Sequence, residues 1–135
     1  MNSKGGEDMR FLNKEHENKL MDLIQKDGTH PKDVERISLF YILSGNTVLY
    51  AKARYIYDFM NHQIVPDCLH DGTVDFSSSS RALIRLGYNL YNGFQDNQTS
   101  PVHLLSGLDS DNYLLASGSI GIRLGYENQV LSWRQ

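Results

Sequence analysis

The sequence predicts an all-α fold: a compact single-domain bundle of roughly five to six helices around one buried central helix. Three observations carry that expectation. Residues 37–43 read Ile-Ser-Leu-Phe-Tyr-Ile-Leu, and a helix so nearly apolar on all sides belongs inside a core. Apolar residues at 20, 23 and 24, and again at 83, 86 and 90, recur at helical spacing. Asn, Asp, Ser or Thr precedes the periodic stretches and glycine follows most of them, as helix starts and stops require. With 135 residues, a single domain is expected, able to bury roughly two thirds of the surface its unfolded chain exposes. The organisation expected is a disordered N-terminal extension over 1–10, one helical domain over 11–126 and a tail over 127–135. Met9 offers a second translational start, which makes the residues before it read as an extension.

The first helix is expected to be capped by Asn13 and to stop at Asp27-Gly28, with Leu20, Leu23 and Ile24 on its inner face. Thr29 or His30 caps the central helix, Pro31 fits its first turn, and Asp33 and Glu35 face the positive end of the dipole. Gly45 supplies a left-handed stop. A buried strand over 37–43 has the same apolar run; the cap, the acids and the glycine favour helix. Asn46 then caps a third helix over about 47–57, with a sharp corner at the joint.

The segment 58–77 is irregular. Pro66 and Asp71-Gly72 are turn signals, Val74 and Phe76 alternate as in a short extended piece, and a single helical turn fits near 67–70. One of Ser77, Ser78, Ser79 and Ser80 caps a helix over 81–92, whose Gly87 allows close approach by the central helix. Ser100-Pro101 opens a short helix through Leu105. Asp109 caps a last helix running at least to Ile120. Beyond it, Ile120, Ile122, Leu124 and Tyr126 fit helix or strand, and Trp133 stands in the tail.

Composition narrows the partners. A net charge of −3, from 13 basic and 16 acidic residues, argues against direct binding of duplex nucleic acid. No apolar run reaches the ~20 residues that span a bilayer, so no membrane partner is expected. The single cysteine, Cys68, has no internal partner; with no secretory leader read in the polar opening residues, a cytoplasmic setting is expected.

No P-loop, GxGxxG, HExxH, paired CxxC or GxSxG occurs. Four groups of residues are left. Cys68, His70 and Asp71, near His62 and Asp75, carry metal-ligand chemistry and would suit a metal-dependent enzyme. Their spacing matches no structural zinc signature, and a lone cysteine in an apolar stretch is usually a small core residue, so no cofactor is expected. His16 lies between Glu15 and Glu17, but neighbours on a helix point apart, and capping with a solvated face explains them. Ser77, Ser78, Ser79 and Ser80 with Arg81 and Arg85 combine a helix start with two guanidiniums one turn apart, a site for a nucleotide-like anion. Helix capping alone also explains the serines. Finally, Tyr50, Tyr55, Tyr57, Asp58, Tyr88 and Tyr91 have the composition of a protein-binding surface. Rings of the core with hydroxyls at its edge are the alternative.

Several of these residues belong to a wider pattern. Phe11, His16-Glu17, Leu20, Asp33-Val34-Glu35-Arg36, Leu39-Phe40-Tyr41-Ile42-Leu43-Ser44-Gly45-Asn46, Leu49-Tyr50, Tyr57-Asp58-Phe59, Ser77-Ser78-Ser79, Ala82-Leu83 and Asn89-Leu90-Tyr91-Asn92 together resemble a family of short, uncharacterised proteins from Gram-positive bacteria and their phages. FYILSGN is the most specific part. The resemblance implies a cytoplasmic, mostly helical protein from a prophage or mobile element, and no activity. The functional expectation is a non-enzymatic protein that binds and inhibits a host or defence protein, such as a CRISPR nuclease. A small-ligand binder and a metal-dependent enzyme are the alternatives, and association with its own copies is a further partner class.

Overall fold

In a computed structural model, residues 10–126 are described; the expectations for 1–9 and for the 127–135 tail, Met9 and Trp133 included, lie outside them. The described chain is a compact, mostly helical single domain. Helices α1 (Lys14–Asp27), α2 (Val34–Gly45), α3 (Thr47–Ala51) and α4 (Ala53–Ile56) come first. A hairpin of β1 (Tyr57–Asp58) and β2 (Gln63–Ile64) and a 3₁₀ turn (Pro66–Leu69) follow. Helices α5 (Ser78–Asn92), α6 (Pro101–Leu105) and α7 (Ser110–Leu124) complete the fold. Among the described residues no helix is long and apolar enough to cross a membrane.

The centre is α2. It packs against α1, α5 and α7, and its residues from Ile37 through Ser44 are all buried. Leu39, Phe40, Ile42 and Leu43 expose none of their surface; burying each such side chain contributes about 1.5–3 kcal/mol. That the sides of α2 are all covered is why its sequence has almost no polar face.

Three close approaches depend on glycine. A Cβ on Gly45 would overlap the Leu115 side chain and lie 2.9 Å from His16 Nε2. One on Gly87 would lie 2.6 Å from Leu39 Cδ1, and one on Gly118 2.6 Å from the Tyr41 hydroxyl. Gly87 is thus where α5 meets α2, as its place in the apolar stripe implied. Gly45 is different from expectation: it is the last residue of α2 and is absent from the positive-φ glycines, which among the described residues are Gly28, Gly72, Gly93 and Gly125. Its role is packing rather than a left-handed stop.

The caps follow the sequence at most ends. Asn13 accepts from the His16 amide, Asn46 from Leu49, Ser77 from Ser80, Ser100 from His103 and Asp109 from Asn112. At α2 the cap is Asp33, which accepts from the Arg36 amide, and Pro31 lies in the turn before the helix. Thr29 and His30 are used elsewhere: Thr29 Oγ1 donates to Asp27, and His30 Nδ1 accepts from the Lys32 amide.

Three stretches depart from the expected elements. The helix expected over 47–57 breaks at Lys52 and ends in β1, because Tyr57 pairs with Ile64 and Asp58 with Gln63 across the hairpin. Val74 and Phe76 are not in a strand; Phe76 simply inserts into the core. Helix α5 starts three residues earlier than expected, so that Ser78, Ser79 and Ser80 are helical and only Ser77 caps. The alternation at 120–126 yields to helix, since Leu115, Ala116, Ser119 and Ile122 are buried at helical spacing.

Candidate functional site

The start of α5 builds one candidate site. Ser77 turns the chain into the helix, and its hydroxyl accepts the Ser80 amide at 3.1 Å. That leaves Ser78 and Ser79 in the first turn, where backbone amides have no helical acceptor. Arg81 and Arg85 follow on the same side. The Arg85 side chain is only 8% exposed, and its Nε donates to Asp96 Oδ2 at 2.8 Å. Asp96 is held in turn by the Gln98 amide and the Thr99 hydroxyl. Burial pushes its carboxyl up, but the Arg85 and Gln98 hydrogen bonds, the Thr99 hydroxyl and the Arg85 charge bring it down to about 2. Two grooves meet at Arg85. The larger is lined by Leu69, His70, Ser78, Arg81, Arg85, Asp96, Asn97 and Gln98. The smaller is lined by Ser78, Ser79, Ala82, Arg85, Gln98, His103, Ser106 and Gly107. Of the serine–arginine residues expected from sequence, Ser78, Ser79, Arg81 and Arg85 line these grooves, with His70, Asn97 and Gln98 added to them; Ser77 is in neither lining. Ser80 is buried and belongs to neither lining, its hydroxyl accepting from Ser77 Oγ at 3.1 Å.

The metal-ligand residues go to different places. Cys68 is buried, and its Sγ lies 3.3 Å from the Tyr88 hydroxyl. Burial pushes its thiol up, away from the thiolate that a metal needs. His70 is exposed, and Asp71 Oδ1 accepts from the Thr73 amide in a turn. Among the described residues no group of three or more His, Cys, Asp or Glu is placed to hold a metal.

The six residues expected to form a protein-binding surface separate too. Tyr57 and Tyr88 are fully buried and belong to the core. Tyr88 donates to the Ile56 carbonyl at 2.7 Å and the Val65 carbonyl at 3.1 Å, tying α5 to the irregular segment. Tyr50, Tyr55, Asp58 and Tyr91 are half-buried. Tyr50 donates to Asp22 at 2.6 Å; burial and that bond push its phenol up to about 12. Asp58 caps the hairpin turn through the amides of Met60 and Asn61.

A different surface is presented by α7. Its exposed positions from Tyr113 onward are Tyr113, Leu114, Ser117 and Leu124, which fall within an arc of roughly 100° at 3.6 residues per turn. Tyr113 is 51% exposed, Leu114 53% and Leu124 62%, with Tyr126 at 71% just beyond. None carries charge. Leu114 and Ser117 also border a groove with Arg10, Phe11, Leu12 and Tyr41, so a cation stands at the edge of the strip.

Sequence reasoning missed two buried polar centres. Asp27, whose side chain is fully covered, accepts from Thr29 Oγ1 at 2.6 Å, Tyr57 at 2.9 Å and Arg36 at 3.2 Å, with His62 Nδ1 at 2.7 Å. Burial raises its pKa, but the bonds from Thr29, His62 and Tyr57 and the charge of Arg36 outweigh that, and it lies below the ordinary carboxylate value. His62 sits at φ 57, a left-handed conformation, and its carbonyl accepts from Tyr91. The second centre is His16, which turns inward where a solvated face was expected. Its Nδ1 accepts the Leu12 amide and its Nε2 faces the Tyr41 carbonyl at 2.9 Å, an arrangement that fits the neutral ring. The signal for His16 was its place four residues before Leu20, on the buried face. Nothing local in the sequence pairs Asp27 with Arg36, Tyr57 and His62.

The chain belongs to a family of unknown function (DUF6075), whose model matches residues 6–134. No curated protein and no solved structure matches it.

Proposed function

We propose that this member of a family of unknown function acts by binding another protein, and that the outer face of α7 makes the contact. The observation that carries the reading is the uncharged strip of Tyr113, Leu114, Ser117 and Leu124 on the side of α7 away from α2. A helix that packs one face on a core ordinarily turns charge to water on the other. Here the outward positions hold large apolar side chains, and contiguous exposed apolar surface of this kind marks interaction sites. The two central tyrosines of the surface first considered, Tyr57 and Tyr88, are spent on the core, so the contact is assigned to α7 instead.

The partner we propose is a host or defence protein of the bacterium, inhibited in the cytoplasm by a phage- or prophage-type protein. Support for that finer reading is the mobile-element context that the FYILSGN resemblance implies, together with the uncharged strip on α7, which suits an apolar patch on a protein rather than a nucleic acid backbone. The test is affinity capture from a lysate of the host bacterium with the full chain and with Leu114→Glu. A protein retained by the first and lost with the second, at equal thermal stability of the two baits, is the expected result. Retention of the same proteins by both baits would contradict the assignment to α7.

A further inference from the structure

We propose that the grooves at the start of α5 form a binding site for a small phosphate ester whose remaining part is polar. The argument rests on donors that the fold leaves unspent. Arg85 is nearly buried yet uses only Nε, on Asp96. Its terminal nitrogens make no hydrogen bond among the described residues, and both grooves reach the side chain. A guanidinium presents a fork suited to an oxyanion, and here the ends of the fork are open. The Arg81 side chain makes no hydrogen bond or ion pair among the described residues and lines the larger groove. The His70 ring and the Ser78 hydroxyl at the same rim are likewise without a protein partner among those residues. Behind them, the first-turn amides of α5 point at the same end, where the helix dipole favours negative charge.

The shape of the site selects among anions. The larger groove has a volume of about 390 Å³ and the smaller about 210 Å³, which together admit a small metabolite rather than a bare ion. The lining beside the arginines is Ser78, Asn97 and Gln98 in one groove and Ser79, His103 and Ser106 in the other. No Phe, Tyr or Trp is among the described residues of either lining; the only rings there are the smaller imidazoles of His70 and His103, so the linings are dominated by polar groups rather than by a broad aromatic platform. Hydroxyl-bearing ligands meet amides and hydroxyls instead. A phosphorylated sugar fits this chemistry better than a nucleotide does. Asp96 is the one carboxylate among the described lining residues and is already committed to Arg85, Gln98 and Thr99. The site so assigned is separate from the α7 face, and each assignment stands or falls alone.

The test is amide NMR on the full-length protein, titrated in parallel with glucose 6-phosphate, inorganic phosphate, glucose and adenosine 5′-monophosphate. Glucose 6-phosphate is expected to give saturable shifts at Ser78, Ser79, Arg81 and Gln98. Inorganic phosphate is expected to shift the same amides with lower affinity, and glucose none of them. Arg81→Gln, which removes a charge that nothing among the described residues uses, is expected to weaken glucose 6-phosphate by about 10-fold or more with the melting midpoint unchanged. No saturable shift with any phosphate, shifts centred away from α5, or equal affinity in Arg81→Gln would overturn the site. Tighter binding of the nucleotide than of the sugar phosphate, or of inorganic phosphate than of the ester, would overturn the ligand class.

Discussion

Two carboxylates, Asp27 and Asp96, are each paired with an arginine, and they differ in what the pairing leaves over. Around Asp27 every donor is spent on a fully covered carboxylate, although Arg36 and His62 reach it from the edge with 28% and 43% of their side chains exposed. Thr29, Arg36, Tyr57 and His62 reach it from the end of α1, the start of α2 and the hairpin, so one side chain ties three elements together. Around Asp96 the carboxylate is equally satisfied, but the arginine is not: Arg85 spends Nε and keeps its remaining nitrogens beside open grooves. Both acids are held below the ordinary carboxylate range for related reasons, so pKa alone does not separate them. Donor accounting does. A closed centre holds the fold, whereas a centre with unspent donors at a surface is equipped to bind.

The contrast is broken most severely at Asp27. Asp27→Ala leaves Tyr57, Thr29, His62 and Arg36 without their acceptor. It is expected to cost about 3 kcal/mol or more, the range for removing one member of a buried pair, measured by urea unfolding. A loss under about 1 kcal/mol, typical of an exposed pair, would mean that the centre is not what joins the hairpin to the helices. Next in size is Gly45→Ala, which drives a methyl into Leu115 and His16. Overpacking of that kind costs about 1–3 kcal/mol. Gly107→Ala, where a Cβ meets open space, provides the control and is expected to stay within about 0.5 kcal/mol.

Acid sharpens the comparison further. Burial lowers the His16 pKa from its ordinary 6.5 against the opposing pull of the Tyr41 carbonyl. The unfolded chain therefore takes up this proton first. Stability from His16 is complete above about pH 6.5 and falls as pH drops toward the lower folded value. Asp27 and Asp96 act in a lower window. Their folded pKa values lie under 3.8, so their contribution is present above 3.8 and is lost as pH falls through the folded values, about 2 for Asp96. Urea midpoints are expected to decline already between about pH 6.5 and 5, and His16→Gln is expected to flatten that limb while leaving the decline below 3.8. An unaltered limb in the variant would show that His16 is not its source. The smallest effect on stability belongs to Arg81→Gln, within about 0.5 kcal/mol, because its charge is paired with nothing among the described residues.

The sequence made the helical skeleton legible because local signals and tertiary packing agree there. Asn13, Asn46, Ser100 and Asp109 cap where caps were expected, and the apolar run of α2 is the core. Where the two disagree, local reading failed. Gly45 has the look of a helix stop, but its reason is the nearness of Leu115, 70 positions away in the chain. Asp33 displaced Thr29 as the α2 cap because Thr29 is drawn to Asp27. Tyr57 and Tyr88 carry hydroxyls that suit a surface, yet buried acceptors at Asp27, Ile56 and Val65 let both rings go inside. The serine–arginine stretch was legible as one cluster because its residues lie within little more than two turns at the start of α5. His70, Asn97 and Gln98 were not, since only the folded chain brings the 3₁₀ turn and the loop after α5 to that end of the helix.

The most direct test of the division between holding and binding is one glucose 6-phosphate titration run on two variants of matched preparation. Arg81→Gln is predicted to lose affinity at unchanged stability, and Asp27→Asn to lose stability while its folded fraction keeps the affinity of the parent. Affinity lost in Asp27→Asn and retained in Arg81→Gln would contradict the account, because the closed centre would then be the one that binds.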